Sequence, residues 1–238
     1  MMFRALSADW LKIRGKGIWF LAALGPIGLA AMQGLNFGLR YDYLMKTYAA
    51  DPWGGLLENV TFFVPIALFL GITLICSLMA NVEHQLSSWK QLLALPISRT
   101  AVFSAKFVQA FLILCVSCIL LTVSVAVLGM LLGMGADRMP YMDLMRIGFL
   151  PMFAALPVLA FQLWLSLTLK NQGISSAIGI TASVVSMFAM EFPDWVPLKW
   201  PLLAYIGPEK ATFIGAGLLL GAVIAAAGLI HFNRKDVD

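Results

Sequence analysis

Charge is what this sequence has least of. Only 12% of its 238 residues are Asp, Glu, Lys or Arg, while 61% are hydrophobic. The charged share is about half that of an ordinary soluble chain, which argues against a soluble globular protein. Histidine is nearly absent: His84 and His231 stand far apart and no H-E-x-x-H occurs, so a zinc-protease helix is excluded. No G-x-x-x-x-G-K-[ST] occurs either, and the chain therefore does not hold ATP through a phosphate loop. The stretch GISSAIG lacks the G-x-S-x-G spacing of a serine nucleophile. Cysteine is limited to Cys76, Cys115 and Cys118. The last two form C-x-x-C within an apolar run without acidic or histidine neighbours, a setting for packing and not for metal or redox chemistry.

What the chain does have is long apolar runs. A spanning helix needs about 20 apolar residues, and six such runs cover 17–38, 60–80, 107–134, 147–169, 173–190 and 211–232. None of the 28 charged residues falls inside them, as expected when one charge at a helix centre costs about 2.5 to 3.5 kcal/mol. The fold class is therefore all-α: a polytopic membrane protein of six transmembrane helices, forming one domain over 1–238. Missing intramembrane acids also disfavour an ion-coupled carrier, in which a titrating group lies on the path. With the N-terminus inside, the inner segments hold ten of the sixteen basic residues and four of the twelve acids. Positive-inside bias thus puts both termini in the cytoplasm, and the basic balance needs no nucleic acid to explain it.

Four features stand out from the apolar background. Residues 1–16 place Phe3, Leu6, Trp10 and Ile13 at spacings of 3, 4 and 3, the pattern of an interfacial amphipathic helix. In the fifth run Ser176, Gly179, Ser183 and Ser186 share one helix face. With Gln162 of the fourth run they read either as a close-packing seam or as the lining of a substrate path. Gly217, Gly221 and Ala225, and Gly129 with Gly133, are further small-residue patterns that suit helix packing. Pro26, Pro65, Pro151 and Pro157 mark kinks. The segment 191–210, EFPDWVPLKWPLLAYIGPEK, is too apolar for a free loop and too broken for a span. It reads as an outer hairpin, re-entrant or interface-lying, anchored by Trp195, Trp200 and Tyr205.

The remaining feature is cytoplasmic. Within 81–100 the positions Leu86, Trp89 and Leu93 form the apolar side of a short amphipathic helix that Pro96 terminates. Such a face suits either the membrane interface or a groove on a partner.

The N-terminal DWLKIRGK, the six runs, and E-x-x-x-x-x-W-K-x-L-L-A-L-P-I-S-R followed by Lys106 resemble a type-2 ATP-binding-cassette (ABC) permease. The resemblance covers nearly the whole chain. It is closest to the permeases of lantibiotic and bacteriocin immunity transporters and of bacitracin-type resistance exporters. Where the family often carries glycine after the glutamate, this chain reads HQLSS. The resemblance implies that 81–100 is the coupling segment, with Glu83, Trp89, Lys90, Leu92, Leu93, Pro96 and Arg99 docking on a separate cytoplasmic ATPase. It further implies a non-catalytic subunit in a bacterial cell membrane, binding no cofactor itself, with ATP and magnesium on the ATPase. The second permease half is an identical chain or a paralogue, and a peptide antibiotic is the implied substrate, moved outward. A structural or signalling membrane protein, whose cytoplasmic helix binds a non-ATPase partner, is the alternative that the residues alone allow.

Overall fold

Apolar runs of this length satisfy their backbone in lipid only as helices, and the computed structural model of the chain is built accordingly. It describes residues 10, 15, 17–85, 98–169 and 171–234. Every regular element among them is helical: α1 (Ile18–Leu39), α2 (Tyr41–Thr47), α3 (Pro52–Thr61), α4 (Val64–Gln85), α5 (Arg99–Leu131), α6 (Tyr141–Ala154), α7 (Leu156–Thr168), α8 (Gln172–Val185), a 3-10 helix (Ser186–Glu191), α9 (Trp200–Ile206) and α10 (Lys210–Arg234). Five helical stretches are long and apolar enough to cross a membrane, and a sixth crossing results when α6 and α7 count as one span bent by 52°.

That bend has a covalent cause. Pro157 supplies no N–H to the Phe153 carbonyl one turn before it, and its ring crowds that carbonyl. The chain closes the break through Ala155, whose N–H donates to Pro151 and whose carbonyl accepts from Val158 and Leu159. Against the break lies α10. A Cβ at Gly217 would stand 2.6 Å from the Ala154 Cα, and one at Gly221 would stand 2.8 Å from the Leu156 Cβ. These glycines let α10 approach the kinked backbone, and α10 packs more extensively against α7 than against any other element. The fifth crossing, α8, rests mainly on α4, while α1 rests on α5 and α4.

The bundle has two distinguishable ends. At one, Arg99 donates to the Asn233 carbonyl and Trp164 to His231. At the other, Tyr41 donates to the Leu132 carbonyl and Trp53 to the Gly135 carbonyl. Each end has its own core. Phe69, Ile72, Ile75, Ile113, Leu159 and Leu163 belong to the cluster near the first, and Phe37, Trp53, Leu56, Val60 and Leu144 to the one near the second.

Several elements depart from the run boundaries. The third span starts at Arg99, eight residues before its apolar run, and at 33 residues is about 50 Å long. That exceeds the ~30 Å hydrocarbon core, so its basic first turns project past the lipid. It ends in a Schellman closure, with Met134 N–H donating to Gly129 and Gly133 N–H to Met130. Gly133 takes the left-handed φ of 77° that this motif needs. Residues 40–59, between the first two apolar runs, carry α2 and most of α3. Asp51 caps α3 by accepting from the Gly54 N–H at 2.9 Å, and Gln33 of α1 donates to the Asn59 carbonyl. The fifth span finishes as the 3-10 helix Ser186–Glu191.

Candidate functional site

Three places hold the residues that the sequence singles out. The first is a polar seam beneath α8. Gln162 Nε2 donates to the Ser175 carbonyl at 2.9 Å and to Ser175 Oγ at 3.1 Å, and Ser175 Oγ shares a hydrogen bond of 2.8 Å with Ser166 Oγ. Gln172 donates back to the Ser166 carbonyl. These bonds tie α8 to α7. On the side facing α4, Ser176 Oγ donates to Ser77 Oγ at 3.0 Å. One turn on, a Cβ at Gly179 would stand 2.2 Å from Thr73 Oγ1. Ser183 and Ser186 donate within their own helix, to the carbonyls of Gly179 and Ser183. Gly179, Ser183 and Ser186 are buried, so in this conformation the stripe is a closed packing seam with its hydroxyls satisfied. Ser175, Ser166, Ser77 and Thr73 complete it, and the stripe drawn from spacing omitted them. Ser175 carried a signal, since 175, 179 and 183 repeat at helical spacing just as 176, 179 and 183 do.

A recess of about 290 Å³ lies on another side of α8. Gln162 and Gly179 line it together with apolar residues of α7, α8 and α10, and Pro197 and Leu198 close one side.

The second place is the end where α5 and α10 meet. Ser98 caps α5 by accepting from the Ala101 N–H at 3.3 Å. The Arg99 guanidinium donates to the Asn233 carbonyl at 3.2 Å, in the last turn of α10, where a cation also suits the helix dipole. The rings of Phe103 and Phe232 pack at 6.0 Å. Trp164 Nε1 donates to His231 Nδ1 at 3.0 Å. Lys106 is buried on the inward face of α5. One turn on, Gln109 is fully buried and neither amide atom has a partner among the described residues, a cost of about 1–3 kcal/mol. Glu83 belongs to the last turn of α4, its side chain outside those described. Trp89, Lys90, Leu92, Leu93 and Pro96 lie outside the described residues, as does most of 1–16. From that N-terminal segment Trp10 is described, and it stacks on Trp19 at 5.5 Å.

The third place is the turn from the 3-10 helix to α9. Lys199 is its hub. Its ammonium pairs with the Asp194 carboxylate at 2.8 Å and donates to the Phe192 carbonyl at 2.7 Å. Trp200 is buried and its Nε1 donates to the Asp194 carbonyl at 2.9 Å. Trp195 is 76% exposed, so the two tryptophans play opposite parts, one inserted and one presented. Tyr205 is half-buried, with Lys210 over its ring at 5.5 Å. Burial, and then the Asp143 carboxylate, push its phenol up to about 12 against the opposing pull of Arg146.

Among the described residues no group of three or more His, Cys, Asp or Glu is placed to hold a metal. The geometry is that of a helical bundle with separable polar seams and two differently built ends. The family described as "ABC-2 family transporter protein" matches residues 5–189. No curated protein and no solved structure matches the chain.

Proposed function

The chain belongs to the ABC-2 family of transporter proteins, and from that premise we propose that it is the permease subunit of an ABC exporter. The energy comes from a separate cytoplasmic ATPase that binds ATP and magnesium. The observation carrying this reading is the family match over 5–189, which contains the whole of 81–100, the first four apolar runs and all but the last residue of the fifth. The ATPase docks on that segment through Glu83, Trp89, Lys90, Leu92, Leu93, Pro96 and Arg99. The Arg99 bond to the Asn233 carbonyl supports a mechanical role, because a displacement at the docking segment is felt by the third and sixth spans together. The seam between α8 and its neighbours supports the other half of the reading. It is held by hydroxyl and amide hydrogen bonds, which a moving bundle can exchange for bonds to an amphipathic substrate. Ser176, Gly179, Ser183, Ser186 and Gln162 are its candidate path residues, and Trp195, Trp200 and Tyr205 hold the outer hairpin beside the exit.

The substrate is a peptide antibiotic of the lantibiotic or bacteriocin kind, moved outward across a bacterial cell membrane by two permease halves, with resistance as the result. Ten basic residues on the inner segments against six on the outer support cytoplasmic termini. The test is transport into inside-out vesicles carrying this chain and its ATPase. A labelled lantibiotic-type peptide accumulates with ATP and does not with a non-hydrolysable analogue. Equal uptake under both conditions contradicts the reading, and a stable complex with a non-ATPase protein in its place supports a structural or signalling role.

A further inference from the structure

The recess beside α8 is unlike the seam beneath it. Its floor is Pro157, Val158, Phe161 and Gln162 of α7; Ile178, Gly179 and Ala182 of α8 form one wall, and Leu220 and Ile224 of α10 the other. It exists because α8 leans on α4 while α10 leans on α7, so the two walls diverge over α7. Pro197 and Leu198 close one side of it, held in place by the Lys199 knot with Asp194 and Phe192. No charged residue lines it, and Gln162, its one amide, is already committed to Ser175. Phe161 and Ile178, which line it, are exposed and apolar, which makes the recess continuous with the lipid-facing belt.

Size decides between occupants. A helix is 10–12 Å across and one turn of it takes up about 400 Å³, more than the ~290 Å³ available, so a span from a second copy lies across the opening and leaves the recess itself unfilled. Water gains nothing from apolar walls. A single hydrocarbon chain matches, since a methylene group takes up about as much space as the ~30 Å³ of a water molecule in the liquid, and the volume holds about ten of them.

We propose that this recess is a binding site for one acyl chain of a bilayer phospholipid, taken in between the fifth and sixth spans and bounded on one side by Pro197 and Leu198. The site fills the gap between diverging helices, so the lipid wedges α8 against α4 and keeps the polar seam closed. The inference needs the chain to be in a membrane and needs no ATPase, so it stands or fails separately from the transport reading.

The experiment is photolabelling in liposomes with a phosphatidylcholine that carries a diazirine midway along one acyl chain. Adducts are mapped by mass spectrometry. Phe161, Ile178 and Ala182 carry several-fold more label than Leu219 and Val223, which lie on the open face of α10. Ala182→Phe and, from the opposite wall, Ile224→Phe each fill the recess and bring its label down to that of Leu219, while Leu219 itself is unchanged. Uniform labelling of all five positions overturns the proposal. So does recess labelling that neither filling variant reduces, and so does an unlabelled recess beside a labelled Leu219.

Discussion

Individual residues in this chain mostly work by what they leave room for. Gly179 is the sharpest case. Adding a Cβ 2.2 Å from Thr73 Oγ1 forces α8 off α4, and overpacking of this kind costs about 1–3 kcal/mol. Gly179→Ala therefore lowers the melting temperature in detergent, and adding Thr73→Ala recovers part of the loss. Lys199 works the other way, by filling. Its side chain is 12% exposed and that of Asp194 67%, so the two partners are unequal. Lys199→Met orphans the Phe192 carbonyl as well as the carboxylate and costs about 1–3 kcal/mol. Asp194→Asn removes one exposed charge and costs about 1 kcal/mol at most. Faster hydrogen exchange over 190–200 in the lysine variant alone is the check. Tyr205 gives a pH signature. Its pKa is raised from 10 to about 12 in the folded chain, so its contribution is complete below pH 10. It is lost as pH rises to about 12, because the unfolded chain releases the proton first. Melting curves taken across that window fall less steeply for Tyr205→Phe. Little of this was legible beforehand. Ser175 and Ser176 fit the stripe equally well, and only the placement of α7 and α4 on either side of α8 sends one serine to Ser166 and the other to Ser77.

At the scale of elements, the spans were legible because lipid imposes one rule on all of them, that apolar length and the absence of charge go with a helix. Their ends were less so. The third helix continues through Lys106 to Arg99, since a helix satisfies its own backbone on either side of the lipid boundary. Pro157 pointed to a kink, but not to a bend of 52° against which Gly217 and Gly221 are seated. That arrangement predicts a graded response. Gly217→Leu separates α10 from the break and destabilises the bundle more than Leu219→Ala, a change on the exposed face of the same helix. Thermal unfolding of the two variants side by side measures the difference. The short helices between the first two spans hid behind their polar residues, although Asp51 before Pro52 is a helix-start signal.

For the whole molecule, the described architecture supplies a bundle whose two ends differ in kind. One end gathers Arg99, Lys106, His231 and Asn233 around the start of the third span and the finish of the sixth. The other is covered by α2, α3 and the turn around Lys199. Membership of the ABC-2 transporter family implies pairing with an ABC ATPase subunit, and an asymmetry of this kind suits the proposed permease, driven at one end and opening at the other. On the proposed reading an ATPase attaches at 83–99. The direct measurement is co-purification of the solubilised chain with an ATPase carrying a G-x-x-x-x-G-K-[ST] loop, compared between the native chain and a Trp89→Ala, Leu93→Ala double variant, with Lys199→Met at the opposite end as the control. The expected result is that the ATPase accompanies the native chain and the Lys199 variant and is lost from the double variant. Retention of the ATPase, with undiminished ATP-dependent transport, by the double variant would contradict it.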